Sequence, residues 1–432
     1  MLSSVSTFPP LGLAYVAAVT PSGWQIKIHD ENFNVSAFEE ADLVGITAFT
    51  SSINRAYDIA RTYRERKTKV ILGGIHVSML PEEALRHADA VVVGEVEGIW
   101  GKVIHDFERN CLATKYIGPQ VDLARNTVIP RRDLLDPRYF WHSVQTSRGC
   151  PFNCHFCSVS KYLGREYRQR TANDVLEELS AIRGEHIAFV DDNLIGYSPE
   201  NKMRALQLFK GMIERGLAKK WWVQASVNAA DDEEVVRLAA EAGCMFVFIG
   251  FETINQDTLR TMKKGVNLKV GISRYKDVVN TFHKHGIGVL GGFVIGNDYE
   301  SESYYKELAE FLLHSGIDVF QITVLTPLPG TMLMEQLQKE RRLLYEDLPT
   351  DWDKYRFSHV VHKPKGIDAE TVYGGDNYIK DRLYSFPTYP YHLLRSLYKL
   401  RNLRNFIVVY KFNEAFRKGW HNSHYYKKYK LT

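Results

Sequence analysis

The chain is poor in cysteine, with five in 432 residues, too few to build a disulfide framework. It also lacks long apolar runs. No stretch approaches the ~18 consecutive apolar residues of a membrane-spanning helix. Met1–Thr7 carries neither a basic nor an apolar leader segment, so a cytoplasmic location is the expectation. Charge of one sign is not in excess: 55 Lys and Arg stand against 51 Asp and Glu, a formal +4. Without a Gly-X-Y period, a sustained heptad or a polar low-complexity tract, collagen, coiled coil and disorder are excluded. What remains is an ordinary globular composition, 45% hydrophobic and 25% charged, on a chain long enough for several domains.

Strand-like runs alternate with amphipathic stretches, the pattern of an α/β protein with parallel sheets. In the first part, strands are expected at Gln25–Ile28, Leu43–Thr47, Lys69–Leu72 and Ala90–Val93. Each ends near small or polar residues, which outlines a pocket at the carboxyl ends of the strands. A proline-bearing stretch, 111–140, reads as a linker. Beyond it six strand–helix repeats, from Ser143 to Leu325, predict a partial (β/α)6 barrel over 141–345. An extension follows over 346–390. The tail, 391–432, holds ten Lys and Arg against Glu414 alone, interleaved with ten aromatics.

The cysteines are unevenly placed. Cys111 and Cys244 stand alone, whereas Cys150, Cys154 and Cys157 crowd into Ser147-Arg148-Gly149-Cys150-Pro151-Phe152-Asn153-Cys154-His155-Phe156-Cys157. This spacing puts three soft sulfur ligands on one loop after a strand, which suits an iron–sulfur cluster or zinc. A structural zinc site needs a fourth ligand. His155, adjacent to Cys154, is expected to point away from the centre that the cysteines face. The run, with aromatic Phe156 before the third cysteine, resembles the cluster loop of the radical S-adenosylmethionine (SAM) superfamily. The resemblance implies a [4Fe-4S] cluster on Cys150, Cys154 and Cys157, with SAM chelating the fourth iron. It also implies reductive cleavage of SAM to a radical that activates an inert C–H bond.

Further runs resemble the same superfamily. They imply SAM contacts at Phe156, at Asp191 and Asp192 after the second barrel strand, and at Gln224 and Ser226 on the third. Glu252, ending an apolar run, and Gly292, in Gly291–Gly296, are implied as well. Carboxylates and amides at strand ends can hydrogen-bond an ammonium and hydroxyls, and glycines let the backbone approach a flat ring. Each has a structural alternative: helix capping for an aspartate, strand packing for a glycine.

The segment 1–110 resembles the Rossmann-like cobalamin-binding domain that precedes the barrel in one branch of the superfamily, which includes hopanoid methylases and bacteriochlorophyll cyclase-like enzymes. Phe8–Leu13, Asp42–Thr47, Leu72–His76 and Val93–Glu97 carry the match. It implies cobalamin contacts at Thr47, Thr50, Gly73, Gly74, Ile75, His76, Gly94 and Glu95. The family opens with a strand before the Phe8 segment; only Met1–Thr7 stands there, so the domain is expected to lack it. The implied activity is cobalamin-dependent C-methylation, or a related modification, of a lipid or secondary metabolite. Flavodoxin or ferredoxin would donate the electron. Two alternatives are a radical SAM cyclase or oxidoreductase without functional cobalamin, and a zinc-stabilised, membrane-associated binding protein. The basic aromatic tail fits peripheral contact with the inner membrane face. No nucleic-acid module accompanies it, so no nucleic-acid partner is expected.

Overall fold

The computed structural model describes residues 8–33 and 38–421. Met1–Thr7, the place of the strand expected to be lacking, and 422–432 of the tail lie outside the described residues. Short runs rich in Val, Ile and Leu form β1 (Leu43–Thr47), β2 (Lys69–Gly73) and β3 (Ala90–Gly94). With β4 (Lys115–Gly118) they make a parallel sheet in the order β1-β2-β3-β4. Two expectations are corrected. Gln25–Ile28 has no ladder partner; it alternates in exposure as a strand would, but none of its residues is buried. Conversely β4 forms inside the stretch read as linker, because buried Tyr116 anchors it: its hydroxyl donates to Asp106 (2.9 Å) and accepts from the Ala113 N–H (2.8 Å).

The second sheet contains β5 (His142–Val144), then, beyond a two-residue antiparallel pair of β6 (Ser147–Arg148) and β7 (Arg168–Gln169), the strands β8 (His186–Phe189), β9 (Lys220–Ala225), β10 (Cys244–Glu252), β11 (Gly288–Ile295) and β12 (Val319–Val324). Its order, β12-β11-β10-β9-β8-β5, is sequential and its pairings are parallel. That is the expected partial barrel. Alternation sorts its side chains: Trp221, Val223, Val247 and Ile249 join the core under the outer helices, whereas Trp222, Phe246, Phe248 and Leu290 face inward. The register sets Trp222, Phe246 and Gly288 at one level, then Gln224, Phe248, Leu290 and Val319, then Gly250, Gly292 and Gln321. The interior therefore passes from aromatic at its amino end to small and polar at its carboxyl end.

Two junctions orient the parts. At the carboxyl end, Val77, Leu72 and Ile53 of the first unit share a core with Leu325, Leu333 and Trp352, and Phe156 and Val294 pack against it. At the amino end, the last helix, Leu403–His421, puts Val409, Phe406 and Phe412 against Phe246 and Leu290. The carboxyl ends of the two sheets thus converge, and the tail closes the opposite end.

Candidate cofactor site

The cysteine loop leaves β6 through Gly149, whose φ of +89° and closeness to the Glu166 carbonyl (2.0 Å from a built Cβ) admit no side chain. The Cys150 N–H donates to the Gly164 carbonyl (3.1 Å), closing the loop beneath the three cysteines. Cys154 is buried, and Cys150 and Cys157 are half-buried. Burial pushes the Cys157 thiol up to about 12 and raises that of Cys154, with the Lys264 charge opposing at both. Metal binding here therefore releases protons. Among the described residues, no three His, Cys, Asp or Glu side chains gather tightly enough to hold a single metal ion. His155 instead lines a small cavity of about 20 Å³ with His362 and Arg342. Burial lowers its pKa to about 4. Three soft thiols on one loop fit a [4Fe-4S] cluster. Phe156 packs toward the first unit's core.

Adjacent aspartates play different parts. Asp191 is buried and accepts hydrogen bonds from the Thr146 N–H (3.0 Å), the Thr146 hydroxyl (2.9 Å) and the Ser147 hydroxyl (2.5 Å). It pins the start of the cluster loop. Asp192, on the opposite parity, opens to water at the barrel mouth. Surrounding protein and the Asp191 charge nevertheless raise its pKa to about 6. Gln224 stands one level below, half-buried. The Ser226 hydroxyl accepts from Asn193 Nδ2 (3.2 Å).

Glu252 sits where β10 bulges against β11, at φ +67°. For a residue with a side chain that conformation costs about 1–3 kcal/mol, and the bulge re-aims its carboxylate back across Gly250. A Cβ at Gly250 would lie 2.4 Å from Glu252 Oε1. Glu252 bonds Lys264 Nζ at 2.5 Å, with only 10% and 14% of their side chains exposed. Burial works against the charge of Lys264, yet Glu252 and the Cys154 thiolate outweigh it and hold its pKa above the usual range. Sequence reasoning missed Lys264. Gly292 serves packing: a Cβ there would lie 2.7 Å from the Phe248 ring. An open carboxylate at Asp192, the buried Glu252–Lys264 pair, an amide and a hydroxyl beside the thiols fit the polar groups of SAM.

Facing this mouth, the first sheet offers bare strand ends. Gly74 (φ +93°) abuts Thr47, and Gly94 (φ +84°) abuts the Gly118 carbonyl, so side chains are excluded at both. Gly73 and Ile75 are half-buried and Thr47 is exposed. Small residues over a broad strand-end surface fit a large planar ring such as a corrin. Three of the residues expected at this surface have protein partners of their own. His76 is buried, with Nδ1 at 3.1 Å from the Thr50 hydroxyl and Nε2 at 3.2 Å from Glu83, which also accepts from Trp352 Nε1 (3.0 Å). His76 and Thr50 thus belong to a junction with the extension. Glu95 is buried in a lattice of charges: it pairs with Arg148 (2.8 Å) and Arg168 (2.5 Å), while Glu97 pairs with Arg148 (2.5 Å). Burial opposes ionisation of Glu95, but the two arginines outweigh it and hold its carboxyl below the usual range. This clamp ties the first sheet to the residue two positions before Cys150.

A Rossmann-like unit set against a thiol-bearing partial barrel defines a radical SAM enzyme with an accessory cobalamin-binding domain. The Radical SAM superfamily matches residues 144–312 and the B12 binding domain residues 1–103. Bacteriochlorophyllide d C-12(1)-methyltransferase of Chlorobaculum tepidum is 30% identical over 395 residues, covering 88% of this chain and 83% of that protein. Hopanoid C-2 methylase of Rhodopseudomonas palustris is 30% identical over 80% of this chain and 68% of its own. The solved structure of TsrM from Kitasatospora setae, a radical SAM methyltransferase with cobalamin and [4Fe-4S] cluster bound, shares the fold at a TM-score of 0.66 and 18% identity, covering 86% of each chain. The chain belongs to the cobalamin-binding radical SAM enzymes. Its cofactors are a [4Fe-4S] cluster, SAM and cobalamin, and a small-molecule substrate is in keeping with its relatives. No helix among the described residues is long and apolar enough to cross a membrane.

Proposed function

We propose that the enzyme transfers a methyl group to an unactivated carbon of a small, largely apolar molecule, a lipid or secondary metabolite. The observation that carries this reading is the convergence of the carboxyl ends of the two sheets, locked by the Glu95–Arg148–Glu97 clamp. When bound, the three cofactors supply the reducing electron, the hydrogen-abstracting radical and the methyl group. The chain's own residues bind and orient. Cys150, Cys154 and Cys157 hold the cluster, and Asp192, Gln224, Ser226 and the Glu252–Lys264 pair receive SAM. Thr47, Gly73, Gly74, Ile75 and Gly94 line the cobalamin surface. The fused core around Phe156 excludes water from the junction. A one-electron carrier such as flavodoxin or ferredoxin supplies the electron. The enzyme works in the cytoplasm, with residues 391–432 at the inner membrane face.

The test is anaerobic reconstitution followed by assay with methyl-labelled SAM. We expect about four irons and one cobalt per chain, with label passing to a product in extracts of the source cells. Cys157→Ala abolishes SAM cleavage while the protein stays folded. A protein that cleaves SAM but retains no cobalt refutes methyl transfer.

A further inference from the structure

Large apolar side chains are seldom left bare on a protein surface in a contiguous set. Here seven of them are concentrated in the last two helices and the turn before them. Phe386 is 86% exposed, Tyr391 and Leu394 66%, Tyr398 71%, Leu403 64%, Ile407 44% and Tyr410 43%. On the penultimate helix, Thr388–Leu400, the bare positions are 391, 394 and 398; on the last they are 403, 407 and 410. Both sets follow the i, i+3 or i+4, i+7 spacing of one helix face.

The opposite faces are firmly seated. His392 Nε2 and Asn413 Nδ2 both bond the Asp318 carbonyl at 2.8 Å, one from each helix. Asn405 Nδ2 bonds the Gly286 carbonyl at 2.8 Å. Asp318 and Gly286 precede β12 and β11, so the two inner faces converge on the amino end of the barrel and the bare faces point away from it.

The charge around the bare face has one sign. Lys399, Arg401, Arg404 and Lys411 are exposed and form no ion pair among the described residues. The sole acid from 386 to 421 is Glu414, taken up by Arg417 (3.0 Å) and by the Tyr389 hydroxyl (2.9 Å). Aromatic and leucine side chains framed by unpaired cations are what an anionic bilayer surface receives. Apolar groups enter the headgroup boundary, and each cation adds attraction to the anionic surface.

We propose that this two-helix face docks the enzyme on an anionic lipid bilayer. The face lies at the end of the barrel remote from the cysteines, so docking leaves the cluster mouth and the first sheet turned toward the cytoplasm. It rests on the proposed inner-membrane placement and not on the identity of the reaction.

The test is co-sedimentation of the full chain with vesicles of phosphatidylcholine alone or mixed with phosphatidylglycerol, at low and high salt. We expect binding to the mixed vesicles that weakens with salt. Combined Leu394→Ser, Leu403→Ser and Ile407→Ser substitutions lower it roughly tenfold or more without changing SAM cleavage in solution. Lys399→Gln with Arg404→Gln does the same, which separates lost docking from lost folding. Failure to bind either vesicle overturns the proposal. So do equal binding of both vesicles by all variants, and a stable dimer in solution that the serine variant dissolves. Vesicle binding is read without substrate, so its failure leaves the methyl-transfer reading standing.

Discussion

At the scale of single residues, the site is decided by which way adjacent side chains turn. Asp191 and Asp192 are chemically alike and neighbours, yet one is consumed by Thr146 and Ser147 and the other opens to the mouth. Asp191→Asn should therefore destabilise the fold by about 1–3 kcal/mol through weakened buried hydrogen bonds, seen as a lower Tm. Asp192→Asn should leave Tm unchanged and weaken SAM binding about tenfold or more, the worth of a charge-assisted contact. Equal effects of the two on SAM binding refute the assignment. The cysteines were legible because their spacing gathers three soft ligands on one loop, while the choice of an iron–sulfur cluster over zinc came with the resemblance of the flanking run. The aspartates were legible only as a pair, although the parity of β8, with Phe189 outward, already turns Asp191 away from the interior. Lys264 was not legible: it follows a short helix, and nothing in its neighbourhood announces that a bulge twelve residues earlier aims Glu252 at it.

At the scale of elements, the barrel was readable because each strand–helix repeat carries its own hydrophobic period, and the register found is sequential. The first sheet was less so. Gln25–Ile28 has strand alternation without burial, and Lys115–Gly118 has burial through one tyrosine without length. Period reports a strand only where a neighbour is there to pair with it. The glycines of this sheet were read as cofactor contacts, and their geometry gives them a second duty, the tight approach of strand ends. Gly94→Ala puts a Cβ 2.6 Å from the Gly118 carbonyl at a φ of +84°, and should cost more than about 1 kcal/mol. Because that strain is confined to the β3–β4 end, the variant should lose cobalt on reconstitution while keeping its iron. Loss of both metals together would show instead that the two units unfold as one.

At the scale of the whole molecule, two sets of buried charges bear on stability and coupling. Burial holds His155, His362 and His392 at about 4. Between about pH 6.5 and 4 the unfolded chain binds protons at these sites that the folded chain does not, so stability falls as pH falls through that window. Glu300 acts with the opposite sign. Burial raises it to about 7, so the folded chain binds its proton first and gains stability as pH falls from 7 toward 4.5. Glu300→Gln removes that offset. Urea midpoints at pH 7 and pH 5 should differ more in the variant than in the parent protein.

The clamp joining the two units also stretches across the molecule. Arg148 holds Glu95 and Glu97, Arg168 holds Glu95, and the Arg148 guanidinium lies 5.4 Å from the Tyr15 ring of the helix Leu11–Val19. Cutting it at Arg148 would leave Glu97 without its arginine and Glu95 on Arg168 alone, at a cost of about 3–5 kcal/mol, so that variant reports folding more than coupling. Glu97→Gln is the sharper test, because it keeps the volume and one hydrogen bond to Arg148 while removing one charge from the lattice. If the clamp sets the distance between the cobalamin surface and the cluster mouth, this variant retains iron, cobalt and SAM cleavage. The radical then forms without a methyl donor held in register, and more deoxyadenosine is produced per methylated product. An unchanged ratio with a lowered Tm would mean that the clamp only holds the two units together. A raised ratio at an unchanged Tm would mean that it holds them at the working distance.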